Sequence, residues 1–208
     1  MKIDVEASPE NRMAYQTYIG DARGSIPAVA FVNSEGGLIG QPGPGSPQLF
    51  NATEFVSDVC SSGQKKLIFL STCSNYGRND NIVTEDSKLN PLGIYASSKI
   101  SAENYIINNC TSSWLVLRMS TLFGVSYKMR RDITINQFVY QHIKNNYLEI
   151  YGPETYRPYL HVLDASEIIH DLLKSDIGGV FNVGYDQLNY KKNDIVKIIN
   201  SIMGSCEL

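Results

Sequence analysis

Two short apolar runs constrain the fold of this chain more than any other feature. The segments Lys66–Ser71 and Trp114–Leu117 are almost continuously apolar and lack the alternation of a strand with one face in water. Strands covered on both faces are typical of parallel sheets that lie between helices. The two runs therefore predict an α/β protein.

Helical and extended patterns alternate along the rest of the chain. Apolar residues recur at helical spacing in four segments, which predicts helices there: 95–108, 135–143, 168–173 and 195–202. Asp164 is the predicted cap of the helix that contains 168–173. Shorter patterns predict three further strands, at 28–32, 147–151 and 179–184. This alternation indicates a mainly parallel sheet flanked by helices.

The N-terminal quarter contains one predicted loop and one predicted helix. Residues 33–47 are rich in glycine and proline, which predicts a long irregular connection. Asn51 can cap a helix that Gly63 ends, which predicts a helix at 51–62. With 208 residues and no internal repeat or linker, the chain is expected to form one domain, 1–208.

Composition excludes several classes of function. The net charge is −3 and no basic run is present, which argues against a nucleic-acid-binding protein. No segment approaches the ~18 consecutive apolar residues of a membrane span, and the N-terminus is polar. We therefore expect a protein that does not contact a membrane and that is located in the cytoplasm.

The cysteines are widely scattered and have no spacing typical of a metal site. We expect free thiols in a reducing cytosol, and no bound metal, for the four of them: Cys60, Cys73, Cys110 and Cys206.

Three residues near the best strand suggest chemistry. Thr72 follows the strand, where ligands of open α/β sheets bind, and Tyr95 and Lys99 lie one turn apart on the next helix. An ammonium beside a phenol favours phenolate, which makes Tyr95 a candidate acid/base. Most pairs with the bare Tyr-x-x-x-Lys spacing are only a tyrosine on a helix surface beside a solvated lysine.

Five ordered segments, spread over roughly 28–200, resemble one known family. They are similar to the extended short-chain dehydrogenase/reductases, in particular the NAD-dependent nucleotide-sugar epimerases and dehydratases. The segments are KKLIFLSTCSNYG, EDSKLNPLGIYASSKISAE, LRMSTLFG, RPYLHVLDASEII and FNVGYDQLNY. The resemblance implies a Rossmann-like domain with NAD or NADP as cofactor and a nucleotide sugar as substrate. It places the substrate side mainly in 125–165 and 179–208.

The resemblance implies roles for individual residues. Thr72, Tyr95 and Lys99 match the catalytic residues, and Lys99 also matches the residue that holds the nicotinamide ribose. Arg157 matches the arginine that contacts the nucleotide diphosphate, and an arginine fork suits bidentate binding of phosphate.

Other residues match less distinctive positions of the family. Asn136 corresponds to a residue near the sugar-nucleotide phosphates, or it is a helix cap or a buried amide. Ser120 and Thr121 correspond to residues near the nicotinamide, or they are turn residues. Cys73 and Ser74 correspond to residues that line the sugar pocket, although a small buried thiol is an alternative for Cys73.

Two further residues have competing interpretations. His161, in the segment RPYLHVLD, is a candidate acid/base, but packing or structural hydrogen bonding is the expected role. Asp21, in Gly20-Asp21, resembles the family aspartate that contacts adenine, and a polar turn would have the same sequence.

The family pattern fails at the start of the chain. The glycine-rich turn that holds the NAD pyrophosphate is absent from residues 1–23. Gly36–Gly40 leads into a proline-containing stretch that cannot begin a helix properly. The expectation is an N-terminally truncated fold with a reduced C-terminal substrate region.

The expected function is an NAD(P)-dependent epimerase, dehydratase or reductase of a nucleotide sugar. Cys73 and Ser74 stand where a dehydratase would need a carboxylic acid and a base, which favours epimerase or reductase chemistry. The alternative is a truncated, non-catalytic relative that binds a nucleotide sugar or a partner chain. In family homodimers, helices matching 51–62 and 95–108 pair, which predicts the same dimer here.

Overall fold

The computed structural model describes residues 31–32, 38–40, 56–57, 60–61, 66–79, 81–126 and 129–205. The strands, in chain order, are β1 (Phe31–Val32), β2 (Leu38–Gly40), β3 (Lys66–Thr72), β4 (Ser113–Met119), β5 (Thr121–Phe123), β6 (Tyr156–His161), β7 (Gly179–Val183) and β8 (Asn189–Lys191). The α-helices that follow β3 are α1 (Ile94–Asn109), α2 (Thr134–Asn145), α3 (Val162–Lys174) and α4 (Lys192–Met203).

A parallel three-stranded sheet positions the site. Its order is β3-β4-β7, and Thr72, Met119 and Val183 lie side by side where the three strands end. Turns that leave this edge therefore meet in one place, as expected for a doubly wound α/β sheet.

Both faces of this sheet are covered, as the continuous apolar runs predict. On one face Phe69 and Val116 pack with Val56, Ala102 and Ile106. Leu115, Leu117, Met119 and Val183 pack on the other face with Leu160 and Ala165. The prediction of a mainly parallel sheet flanked by helices is confirmed.

A second three-stranded sheet has the order β5-β6-β8. β5 follows β4 after the single residue Ser120 and pairs in parallel with β6. β6 in turn pairs antiparallel with β8. Besides the two apolar groups that cover the main sheet, a third apolar cluster contains Phe138, Leu148 and Tyr159. It fills the space between the strands of the second sheet, α2 and α4.

The structure corrects three predicted elements. Residues 147–151 form no strand: Leu148 is buried and Ile150 packs against the same cluster, but the segment is irregular apart from a single bridge at Tyr147. Part of the predicted loop 33–47 is β2, which pairs antiparallel with β1, so the described end of 28–32 is not a parallel strand. The cap of α3 is His161, and Asp164 lies inside the first turn.

The cysteines also differ from expectation. Cys60 and Cys110 form a disulfide, with their Cα atoms 5.1 Å apart. The helical residues around Cys60 pack against α1, whose end carries Cys110, and a sequence separation of 50 residues gives no sign of this proximity. Cys73 is a free thiol, as predicted, and Cys206 lies outside the described residues.

Within the described ranges, no helix combines the length and the apolar character that crossing a membrane requires.

Candidate active site

The turn after β3 presents a buried hydroxyl at the sheet edge. Thr72 caps the short 3₁₀ helix Cys73–Tyr76, and its Oγ1 accepts a hydrogen bond from the Ser74 amide at 3.2 Å. Capping fixes the hydroxyl against the turn and leaves its own proton available for another partner.

The first turns of α1 bring Tyr95 and Lys99 to this hydroxyl. Tyr95 is 47% exposed, and the Thr72 side chain is close enough to lower the pKa of its hydroxyl. The Lys99 Nζ donates to the Leu70 carbonyl at 2.8 Å and lies 5.9 Å from the centre of the Tyr95 ring. The structure therefore brings together the three residues that the sequence selects.

The electrostatics of Tyr95 differ from the prediction. Burial raises the pKa of Tyr95 above its ordinary value, and this effect exceeds the lowering by the charge of Arg130 and by the Thr72 hydrogen bond. Lys99 was expected to lower that pKa, but its ammonium is bonded to the Leu70 carbonyl. The cation that favours phenolate here is Arg130, a residue that the sequence analysis missed.

Lys99 itself is affected by its surroundings. Burial lowers the pKa of Lys99, and the nearby charge of Glu103 partly offsets this by raising it. Its ammonium also lies 4.7 Å from the centre of the Phe69 ring. Since one of three ammonium donors is used by Leu70, the remaining donors can hold a ligand hydroxyl.

Cationic side chains from β6 and α4 act electrostatically at this turn and on each other. Burial raises the pKa of Cys73, while the charge of Arg157 lowers it. Lys192 has a lowered pKa because of burial and of the Arg157 charge, and its Nζ donates to the Tyr151 carbonyl at 2.5 Å. Two close cations favour an anionic ligand.

The sequence alone gives few indications of which cationic residues lie at the site. The adjacent cations Arg130 and Arg131 before α2 are visible in the chain, although nothing assigns either to the tyrosine. Lys192 gives no signal at all, because its proximity to Arg157 follows from the pairing of β6 with β8.

Asn136 and Ser120 serve as structural anchors. The Asn136 Oδ1 accepts from the Gly124 amide at 3.0 Å, and its Nδ2 donates to the Arg130 carbonyl at 2.9 Å. The Ser120 hydroxyl donates to the Val183 carbonyl at 2.8 Å. The buried-amide alternative therefore describes Asn136 in this structure.

The remaining candidates have simple placements. Thr121 lies in β5 opposite Tyr159, and Ser74 lies in the turn with its amide bonded to Thr72. Asp21 is outside the described residues. His161 has the structural role expected for it, since its Nδ1 accepts from the Leu163 amide at 3.3 Å and its ring packs edge-on against Phe123.

The arrangement suits a cofactor ribose better than a metal. Lys99 and the partly exposed Tyr95 stand at the carboxyl ends of parallel strands, where dinucleotides bind in such sheets. Among the described residues, no group of three or more histidine, cysteine or acidic side chains is arranged to hold a metal ion.

Comparison with known proteins gives consistent relatives. A model of the NAD dependent epimerase/dehydratase family matches residues 49–184. A protein of Bacillus subtilis (strain 168), described as the uncharacterized UDP-glucose epimerase YtcB, is 25% identical over 142 residues, which are 65% of this chain and 43% of the relative.

Solved structures share the fold. TunA, described as an NAD dependent NDP-hexosamine 5,6-dehydratase of tunicamycin biosynthesis, superimposes with a TM-score of 0.68 at 23% identity over 75% of this chain and 52% of its own. The UDP-glucuronic acid 4-epimerase of Bacillus cereus, in complex with UDP-glucuronic acid and NAD, gives a TM-score of 0.67 at 24% identity over 75% of this chain and 51% of its own.

The extent of these matches has two consequences. The chain spans about half the length of the relatives, so their whole activities do not transfer to it directly. The family match, however, covers well over half of the chain and contains Thr72, Tyr95, Lys99 and Arg157. This chain belongs to the NAD dependent epimerase/dehydratase family.

Proposed function

We propose that this chain catalyses NAD(P)-dependent oxidation and reduction of a hydroxyl on a nucleotide sugar, with epimerisation as the net reaction. The observation that carries the proposal is that Tyr95 and Lys99, one helical turn apart on α1, lie at the end of β3, where Lys99 donates to the Leu70 carbonyl at 2.8 Å and the Thr72 side chain acts on the Tyr95 phenol. Relatives described as UDP-glucose and UDP-glucuronic acid epimerases support the substrate class.

Tyr95 is the acid/base of this mechanism. Its phenolate takes the proton of the sugar hydroxyl, and its phenol returns a proton when the carbonyl is reduced again. Thr72 donates a hydrogen bond to the same sugar oxygen and holds it beside the phenol. Burial raises the Tyr95 pKa, and the charge of Arg130 limits this rise because it favours the phenolate.

Lys99 would hold the cofactor. Its free ammonium donors suit the hydroxyls of the nicotinamide ribose, while Leu70 keeps the side chain in place. A nicotinamide held there would supply the reversible hydride transfer at the sugar carbon, while Tyr95 moves the proton of the sugar hydroxyl. Thr121, at the start of β5, and Asp21 stay predictions as cofactor contacts, and Ser120 contributes a fixed backbone position rather than a free hydroxyl.

Arg157 and Lys192 would bind the diphosphate of the sugar nucleotide. Burial and then the charge of Arg157 lower the pKa of Lys192, and a bound dianion would relieve the repulsion between the two cations. Cys73 and Ser74 border the sugar in this proposal. Because neither is a carboxylic acid, the turn lacks the acid that a dehydratase requires, which favours epimerisation.

The test is calorimetry of the full chain with NAD, with NADP, and with UDP- and GDP-sugars. We expect cofactor binding together with binding of at least one nucleotide sugar, followed by epimerase turnover in a coupled assay. Tyr95→Phe should retain both ligands and lose ~10²-fold or more of kcat, since the acid/base is removed.

Two results would overturn the proposal. One is the absence of NAD and NADP binding both with and without nucleotide sugar. The other is turnover by Tyr95→Phe equal to that of the unsubstituted chain. Tyr147→Phe, on a tyrosine after α2 and away from the Thr72 turn, is the matched control and should keep full kcat.

The proposed location is the cytoplasm, and the disulfide gives this a direct test. Disulfides persist mainly in oxidising compartments. The redox state of Cys60 and Cys110 in cells therefore tests the proposed location. Alkylation of freshly lysed cells should label both cysteines if the protein resides in a reducing cytosol. Protection of both thiols would contradict a cytoplasmic location.

A further inference from the structure

A buried ion pair adjoins the candidate active site. Glu103 is 1% exposed and Arg118 is 6% exposed. The Arg118 Nη2 donates to Glu103 Oε2 at 2.8 Å, and its Nε lies 3.3 and 3.2 Å from the two carboxylate oxygens. This forked contact fixes the orientation of both side chains as well as their separation.

The Glu103 carboxylate holds the Thr72 turn from both sides. Its Oε1 accepts from the Asn75 Nδ2 at 2.7 Å and from the Ser71 hydroxyl. Asn75 also donates to the Ser71 Oγ at 3.1 Å. Because Ser71 precedes Thr72 and Asn75 follows it within the turn, one carboxylate constrains the backbone on both sides of the candidate catalytic hydroxyl.

The same carboxylate belongs to the helix that carries the other two site residues. Tyr95, Lys99 and Glu103 follow one another at intervals of four along α1, so they share a face of the helix. The charge of Glu103 acts on Lys99 and raises its pKa against the effect of burial. Glu103 is thus linked both to the Thr72 turn and to the Lys99 ammonium.

Arg118 extends the network toward the substrate side. Its Nη1 donates to the Tyr76 hydroxyl at 2.8 Å and to the Glu85 carbonyl at 3.0 Å. The Tyr76 hydroxyl donates to the Asn182 Oδ1 at 2.6 Å. The network therefore connects α1, the Thr72 turn, β4, the loop before α1 and β7.

Stability alone gives a poor reason for this arrangement. Removing two charges from water costs so much that well-packed apolar residues often replace a buried ion pair with no loss of stability. Apolar packing, however, cannot fix the angle between a helix and a turn as directional hydrogen bonds do. A network of this kind at the base of a reactive site suits the control of geometry.

We propose that Glu103, held by Arg118, is the positioning residue that sets Tyr95 and Lys99 on α1 against Thr72. This inference rests on the proposed function, because it assigns the network a purpose in that reaction. Glu103 does not contact substrate or cofactor, and it acts through Ser71, Asn75 and Lys99.

The first variant is Glu103→Gln, which keeps the size of the side chain and removes its charge. We expect kcat to fall about tenfold or more with KM within about threefold, because a misplaced site loses transition-state stabilisation rather than binding. In lysine side-chain NMR, the Lys99 pKa should shift downward, since the charge that raises it is gone. Glu167→Gln, on the exposed face of α3, is the matched control and should change neither quantity.

The second variant is the double substitution Glu103→Leu with Arg118→Met, which replaces both charges by apolar residues. If the pair only supports the fold, the double variant should have both the Tm and the kcat of the wild-type chain, unlike Glu103→Gln. A positioning role predicts instead that Tm recovers further than kcat, which stays about tenfold or more below wild type.

The outcomes separate this inference from the proposed function. If the wild-type chain turns over and folded Glu103→Gln matches it in kcat and in the Lys99 titration, the positioning role is wrong and the function stands. If no chain turns over but the Lys99 pKa still falls in Glu103→Gln, the link between Glu103 and Lys99 holds while the proposed reaction fails.

Discussion

At the scale of single residues, Tyr95 depends on neighbours that come from other elements. The Thr72 side chain at the end of β3 and the charge of Arg130, just before α2, both oppose the effect of burial on the Tyr95 pKa. Arg130 is itself held by Asp132, with 2.5 Å between Nη2 and Oδ2. A loop far from Tyr95 in sequence therefore contributes the charge that partly offsets burial.

Arg130→Gln should raise the pKa of Tyr95 further, because it removes a positive charge that favours phenolate. Activity should shift in the same direction: the limb of the kcat/KM pH profile that reports the base should move to higher pH. A pH profile and ultraviolet titration of phenolate, each corrected with Tyr95→Phe, measure the two effects.

Arg131→Gln is the matched control for this prediction. Its guanidinium lies 5.1 Å from the centre of the Tyr140 ring, so it should leave the Tyr95 titration unchanged. Equal titrations in Arg130→Gln and the wild-type chain would contradict the assigned role of Arg130.

Gly124 has a backbone conformation that other residues rarely adopt, and its Cα lies close to a neighbouring side chain. Its φ is +113°, and a Cβ there would collide with the His161 ring. We expect Gly124→Ala to lower the free energy of unfolding by about 1–3 kcal/mol, measured in urea. Gly93→Ala, where a Cβ meets nothing within 4 Å, should cost less, and equal losses would contradict this explanation.

At the scale of elements, sequence periodicity predicts the central strands of the main sheet and the four helices α1 to α4. Continuous apolar runs locate β3 and β4, and helical spacing locates α1 to α4, because burial on two faces or on one face leaves a direct pattern. The second sheet escapes prediction. β5 and β8 have three residues each, and β6 contains Arg157 and Pro158. The disulfide joins elements whose proximity depends on tertiary packing.

The Cys60–Cys110 bond should stabilise the first helix–sheet unit. Replacing both cysteines by alanine should lower the free energy of unfolding by roughly 2–4 kcal/mol, because the unfolded chain gains freedom. Urea unfolding of the oxidised protein measures the loss. Cys73→Ala, which removes a free thiol, should have a smaller effect on stability. Unfolding curves that coincide with and without reductant would contradict the prediction.

At the scale of the whole molecule, the resemblance supplies the names of the site residues, and the fold supplies their environment. Thr72, Tyr95 and Lys99 meet as the family motif implies. Sequence alone cannot reveal that Arg130 acts on Tyr95, that Lys192 lies near Arg157, or that Glu103 holds the Thr72 turn. Each of these contacts joins side chains from elements distant in sequence, so no local spacing encodes them.

Association of two chains through 51–62 and 95–108 stays a prediction. Ser57 and Tyr105, one in each segment, are bonded within the chain at 2.8 Å, and Ile107 is exposed on α1. Sedimentation equilibrium should show a dimer that Ile107→Lys weakens, because a buried charge opposes helix pairing. Ile143→Lys, on the exposed side of α2, should leave the dimer intact, and a monomer at every concentration would contradict the prediction.

The disulfide also decides what a single break in the backbone would do. Residues 82–93 form an exposed connection in which Ile82 is almost fully accessible, and such segments are preferred by proteases. A cut there puts Thr72 on one fragment and Tyr95 and Lys99 on the other. Since Cys60 and Cys110 lie on opposite sides of the cut, the fragments stay covalently joined until a reductant separates them.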